Sequence, residues 1–78
     1  MFSAALVDTR TALLVFREMV SCVVLPGEEG ELAIMDFHQP IIAYLKEGYI
    51  RVDDKIIWHI KRGVARSQRN ELIVLMEK

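Results

Sequence analysis

Apolar residues along this chain come in short runs, and turn-forming side chains break each run within about a dozen residues, the texture of an antiparallel sandwich or barrel. Residues 2–7 end at Asp8-Thr9-Arg10, a tight-turn signal, and residues 11–16 form the next expected strand. Residues 19–25 follow, with Val20, Cys22 and Val24 on one face and Met19, Ser21, Val23 and Leu25 on the other. Pro26-Gly27 should close that strand, because proline donates nothing to a ladder and glycine accepts turn geometry. Residues 31–35 make a short strand. Residues 40–46 fit two patterns: Ile41, Tyr44 and Leu45 at helical spacing, or Ile41, Ala43 and Leu45 in alternation. The short length and the flanking Pro40 and Gly48 favour a strand. Residues 49–52 and 55–61 read as a hairpin around Asp53-Asp54, with Ile56, Trp58 and Ile60 inward and Ile57, His59 and Lys61 outward. A last hairpin joins residues 63–66 to 72–76 across Gln68-Arg69-Asn70. The prediction is one all-β domain, residues 1–78, with no repeats or linkers.

Composition sharpens this picture in two ways. The apolar fraction of 53% in 78 residues is generous for so small a core, so part of the apolar surface is available to a partner. The single cysteine, Cys22, offers no internal disulfide, which suits a reducing compartment. The first residues lack the basic region of a signal peptide, and the longest apolar runs are too short to span a bilayer. The expectation is a soluble, cytosolic chain.

Charge is unevenly placed. Residues 1–48 hold three basic side chains against seven acidic ones, and residues 49–78 hold seven against four. Two regions of opposite sign suit a domain wedged between different partners.

Candidate chemistry is sparse. Ser3, Ser21 and Ser67 have no glycine-shaped elbow, and His38 and His59 have no partner spacing that suggests a triad. One cysteine and two histidines match no zinc pattern. The turn around Gly27-Glu28-Glu29-Gly30-Glu31 carries three carboxylates, which would repel phosphate, and lacks the lysine of a phosphate-binding loop. The basic residues Lys61, Arg62, Arg66 and Arg69 could follow a nucleic-acid backbone, making a small barrel for single strands the alternative reading. Alternation, however, places Trp58 with the core rather than on a stacking surface.

Residues 25–34, Leu-Pro-Gly-Glu-Glu-Gly-Glu-Leu-Ala-Ile, followed by His38-Gln39-Pro40-Ile41-Ile42, resemble the signature of the epsilon subunit of F-type ATP synthases. The similarity continues through Leu45-Lys46, Gly48 and Ile50-Arg51-Val52 to Gly63 and the closing Asn70-Glu71-Leu72-Ile73-Val74-Leu75. The resemblance implies a flattened ten-stranded β-sandwich of the rotor's central stalk, resting on the loops of the membrane-embedded c-ring beside the gamma subunit. It implies no active site and no cofactor in this region. It further implies a peripheral location on the cytoplasmic side of the inner (plasma) membrane, with membrane association only through the complex and no nucleic-acid partner.

Carried over by position, Glu29, Glu31 and His38 are the expected c-ring contacts, and His38, Pro40, Ile41 and Ile42 the expected gamma contacts. Glu28 and Asp36 should add to the negative field around Glu31. The chain departs from the family pattern at Ala33, at Asp36-Phe37 before the histidine, and at Lys61-Arg62 before Gly63. It also ends at Met76-Glu77-Lys78, where the family usually continues into a regulatory helical hairpin. The expectation here is the sandwich without that hairpin.

Overall fold

The computed structural model describes residues 1–36 and 40–78, apart from the side chain of Ile56. Nine strands lie among these residues: β1 (Phe2–Asp8), β2 (Leu13–Val20), β3 (Cys22–Gly27), β4 (Gly30–Met35), β5 (Ile41–Leu45), β6 (Gly48–Val52), β7 (Lys55–Ile60), β8 (Arg62–Gln68) and β9 (Glu71–Glu77). They hydrogen-bond in the order β2-β1-β9-β8-β5-β3-β6-β7, with β4 along the other edge of β3. All pairings are antiparallel except that of β1 with β9, which sets the first and last strands side by side.

The sheet closes on itself because its two halves share few ladder bonds. β5 meets β3 at one residue pair, Gly27 with Leu45, flanked by Lys46 N–H donating to the Pro26 carbonyl and Glu28 N–H donating to Tyr44. Around that hinge, β2-β1-β9-β8-β5 form one layer and β4-β3-β6-β7 the other. Their inward side chains make a single core, including Phe2, Leu6, Leu25, Ile50, Leu72 and Met76, each under 1% exposed. Phe16 of β2 and Trp58 of β7 meet edge to face, centroids 6.0 Å apart, and cover the core where the two layers part. Alternation in β5 follows the strand pattern: Ile42 and Tyr44 are exposed, and Leu45 is buried.

Turn chemistry agrees with local sequence. Asp53 and Asp54 both adopt positive φ, 48° and 69°, the requirement of a tight two-residue hairpin. Glu28 and Glu29 form the β3–β4 turn between paired Gly27 and Gly30, one residue beyond the break expected at Pro26-Gly27. The Asp8 carboxylate accepts from Arg10 N–H at 3.0 Å and fastens the β1–β2 turn.

Three expectations are corrected. The second strand runs over Leu13–Val20 and breaks at Ser21, not near Arg17-Glu18. The positive φ of Ala12 (58°) extends the preceding turn, and the break itself is held from afar: the Asp53 carboxylate accepts Ser21 N–H and Cys22 N–H, each at 3.0 Å. That corner shifts the alternation by one residue, so Val20, Val23 and Leu25 are buried together while Cys22 and Val24 are only half-buried. Finally, Ile57 does not face solvent. Ile50 pairs with Trp58 and Arg51 with Ile56, so Ile57 is the extra residue of a bulge and packs partly on the core.

Candidate docking surfaces

Among the described residues no three His, Cys, Asp or Glu side chains gather to hold a metal ion, and no helix is long and apolar enough to cross a membrane. What the fold does build is surface. In the layer β2-β1-β9-β8-β5, the residues pointing away from the core align across all five strands. Leu14 pairs with Val7, Val7 with Leu75, Leu75 with Val64 and Val64 with Tyr44, one uninterrupted apolar row. At roughly 4.8 Å per strand the row is about 19 Å long. Leu14, Leu75 and Tyr44 are 53%, 44% and 64% exposed. The neighbouring row reads Arg17, Ala5, Ile73, Arg66 and Ile42, the last 68% exposed. Contiguous apolar patches of this kind on a small domain mark contact sites.

One end of the apolar row opens into a depression of about 400 Å³, floored by Tyr44, Val64 and Leu75 and rimmed by Glu28, Arg62 and Glu77. The Arg62 and Glu77 side chains pair across the rim at 3.5 Å. Gly63 lies beneath; a Cβ there would come within 2.7 Å of the Leu75 carbonyl oxygen, so β8 and β9 approach more closely than any side chain permits.

The acidic turn stands beside this face. Glu29 and Glu31 line a second groove of about 350 Å³ together with Ile42 and Tyr44. Glu29 is exposed at the tip. Both oxygens of the Glu31 carboxylate lie 3.4 Å from Arg51 Nη2, an exposed and loose pair. On this outer side of the second layer, the Tyr49 and His59 rings meet at a tilt of 60° with centroids 4.9 Å apart, and His59 Nε2 lies 3.3 Å from Glu47.

The structure therefore brings Glu29, Glu31 and Ile42 together. Pro40 is exposed and Ile41 packs partly on the core; both line a separate groove with Arg66 and Gln68. His38 lies outside the described residues. Asp36 does not join the acidic turn: it sits at the far end of β4 and pairs with the N-terminal ammonium of Met1. Of the basic residues of the nucleic-acid alternative, Arg62 and Arg66 lie on the outer face of β8, while Lys61 and Arg69 flank its two ends. Trp58 is half-buried beneath Phe16, with the Lys78 ammonium 5.7 Å from its ring centroid.

Sequence reading did not single out Leu14, Tyr44, Leu75, Arg17 or the outward role of Arg66. One signal was available: residues 72–76 of β9 are apolar at every position, the mark of a strand covered on both faces.

The fold and its surface define the class: an all-β sandwich with an acidic turn at one end and an apolar outer face. Residues 9–78 match the family of ATP synthase delta/epsilon chains, specifically their β-sandwich domain, and the chain belongs to that family. The ATP synthase epsilon chain of Campylobacter concisus is 36% identical over 67 residues, 81% of this chain and 52% of that protein. The ATP synthase epsilon chain 2 of Ralstonia nicotianae is 39% identical over 59 residues, 70% of this chain and 42% of that protein. The chain thus spans about half the length of the curated relatives it matches. Its backbone also superposes on a chain in the cryo-EM structure of the central stalk/c-ring of the Tetrahymena thermophila mitochondrial ATP synthase. The TM-score is 0.76 and the identity 11%, over 97% of this chain and 63% of that one, a likeness that establishes the fold.

Proposed function

We propose that this domain is a non-catalytic rotor element of an F-type ATP synthase, seated between the gamma subunit and the c-ring and coupling their rotation. The observation that carries the reading is the apolar row across five strands, which gives a rigid, preformed face for a shaft subunit. Two interdigitated sheet layers resist shear, as a part transmitting torque must. Glu29 and Glu31, at the acidic turn, are the c-ring contacts in this reading, where carboxylates facing polar loops fix register more than they add affinity. Ile42, exposed between the acidic turn and the apolar face, belongs to the gamma contact, with Pro40 at its margin. Two moderate contacts held on one rigid body reinforce each other. The domain sits at the cytoplasmic side of the membrane through its partners alone.

The test is retention of the chain by its cognate gamma subunit, followed by ATP-driven proton pumping in the reassembled complex. Tyr44→Glu should abolish retention. Glu31→Lys should retain gamma binding and lower pumping per ATP hydrolysed. Unchanged pumping with Glu31→Lys would remove the c-ring role, and retention of Tyr44→Glu would remove the gamma face.

A further inference from the structure

Among the described residues, two arginines on the apolar face form no ion pair, although Glu71 lines a small pocket together with one of them, Arg66. The ion pairs among the described residues lie elsewhere: Arg51 with Glu31, Arg62 with Glu77, the N-terminus with Asp36, and His59, where protonated, with Glu47. Arg17 forms no hydrogen bond or ion pair with any of the described residues, and Arg66 donates only to the neutral Gln68 amide, at 2.8 Å. Register sets both in the row beside the apolar one, separated by Ala5 and Ile73. Three strand spacings put their backbones about 14 Å apart.

We infer that the surface docking on this face presents two carboxylates to Arg17 and Arg66, so that the pair selects an apolar partner with an acidic flank. The inference rests on the docking reading above. Covering the apolar row strips water from the neighbouring guanidiniums, and an unpaired guanidinium left dry is strongly unfavourable. A carboxylate engages a guanidinium through two parallel N–H···O bonds and removes that penalty. On the other side of the row, Arg62 and Glu77 neutralise each other, so that flank makes no such demand. The two arginines are not equivalent. β2 is an edge strand, so Arg17 sits at the rim; β8 lies between β9 and β5, so Arg66, exposed in the free domain, stands inside the face and would be enclosed by a docked partner. A rim charge acts mainly on encounter rate and salt dependence, an enclosed one on dissociation.

The experiment is the binding kinetics of the chain to its cognate gamma subunit at low and high salt, with Arg17→Gln, Arg66→Gln, Arg66→Lys and Tyr44→Glu, each first shown to unfold at the wild-type denaturant midpoint. The expected result for Arg66→Gln is weaker binding by on the order of thirtyfold, mostly in dissociation, with Arg66→Lys recovering part of it. Arg17→Gln should lose roughly threefold to tenfold, mostly in association, and flatten the salt dependence. Wild-type binding that is lost in Tyr44→Glu but changes less than twofold in both glutamine variants would overturn the inference and leave the docking face standing. Absence of wild-type binding, or retention by Tyr44→Glu, would overturn the docking reading and the inference with it.

Discussion

The corner at Ser21 rests on one side chain, and Asp53 is where the fold is most open to a decisive test. Its Oδ1 accepts two backbone N–H groups, from Ser21 and Cys22, both at 3.0 Å, while its own N–H donates to the Cys22 carbonyl at 2.9 Å. It does this from a left-handed backbone, φ 48°, in the turn between β6 and β7. Asp53→Ala removes both carboxylate bonds. In this exposed setting water takes up the freed donors, so about 1 kcal/mol for each bond is the appropriate scale. Placing a β-carbon without a local acceptor at positive φ adds roughly 1 kcal/mol. The total is about 3 kcal/mol, a large share of what a domain of this size possesses. Asp53→Gly keeps the backbone relaxed and should cost about 2 kcal/mol. Asp53→Asn keeps one acceptor oxygen and tolerates the left-handed region, so its cost should stay under about 1 kcal/mol. Urea unfolding followed by Trp58 fluorescence gives the order Asn, Gly, Ala, with shifted midpoints and an unchanged slope. If Asn and Ala coincide, or if Ala lies within about 0.5 kcal/mol of wild type, the long-range corner does not hold the strand break and the reasoning fails.

Gly63→Ala should destabilise by about 1–3 kcal/mol, because the new methyl meets the Leu75 carbonyl oxygen at 2.7 Å and backbone rather than a side chain must give way; thermal unfolding measures it. The rings of Phe16 and Trp58, 6.0 Å apart at 80°, should show a coupling of about 0.5–1.5 kcal/mol in a double-mutant cycle with leucine at each position, and additivity would deny the contact. Tyr44→Ser should leave stability within about 0.5 kcal/mol of wild type, since the side chain points away from the core; a larger loss in chemical denaturation would mean that Tyr44 supports the fold rather than a partner.

The local physics of this chain was legible from residue order alone. Paired Asp53-Asp54, the glycines flanking Glu28-Glu29, and the alternation through Ile41–Leu45 each specify backbone conformation through interactions within a few residues, and the strands formed there. The family resemblance at residues 25–42 was legible for the same reason, as a pattern in the chain itself. Tertiary structure decided everything that depended on which residues meet from afar. The break at Ser21 belongs to a carboxylate 32 positions away, and the bulge at Ile57 belongs to the register of β6 against β7. The outer face is of the same kind. Leu14, Val7, Leu75, Val64 and Tyr44 come from five strands scattered along the chain, and only the pairing of β1 with β9 and of β8 with β5 lines them into one row. Alternation determines that such residues share a direction; cross-strand register determines that they are neighbours, and register is settled by the packing of the whole core.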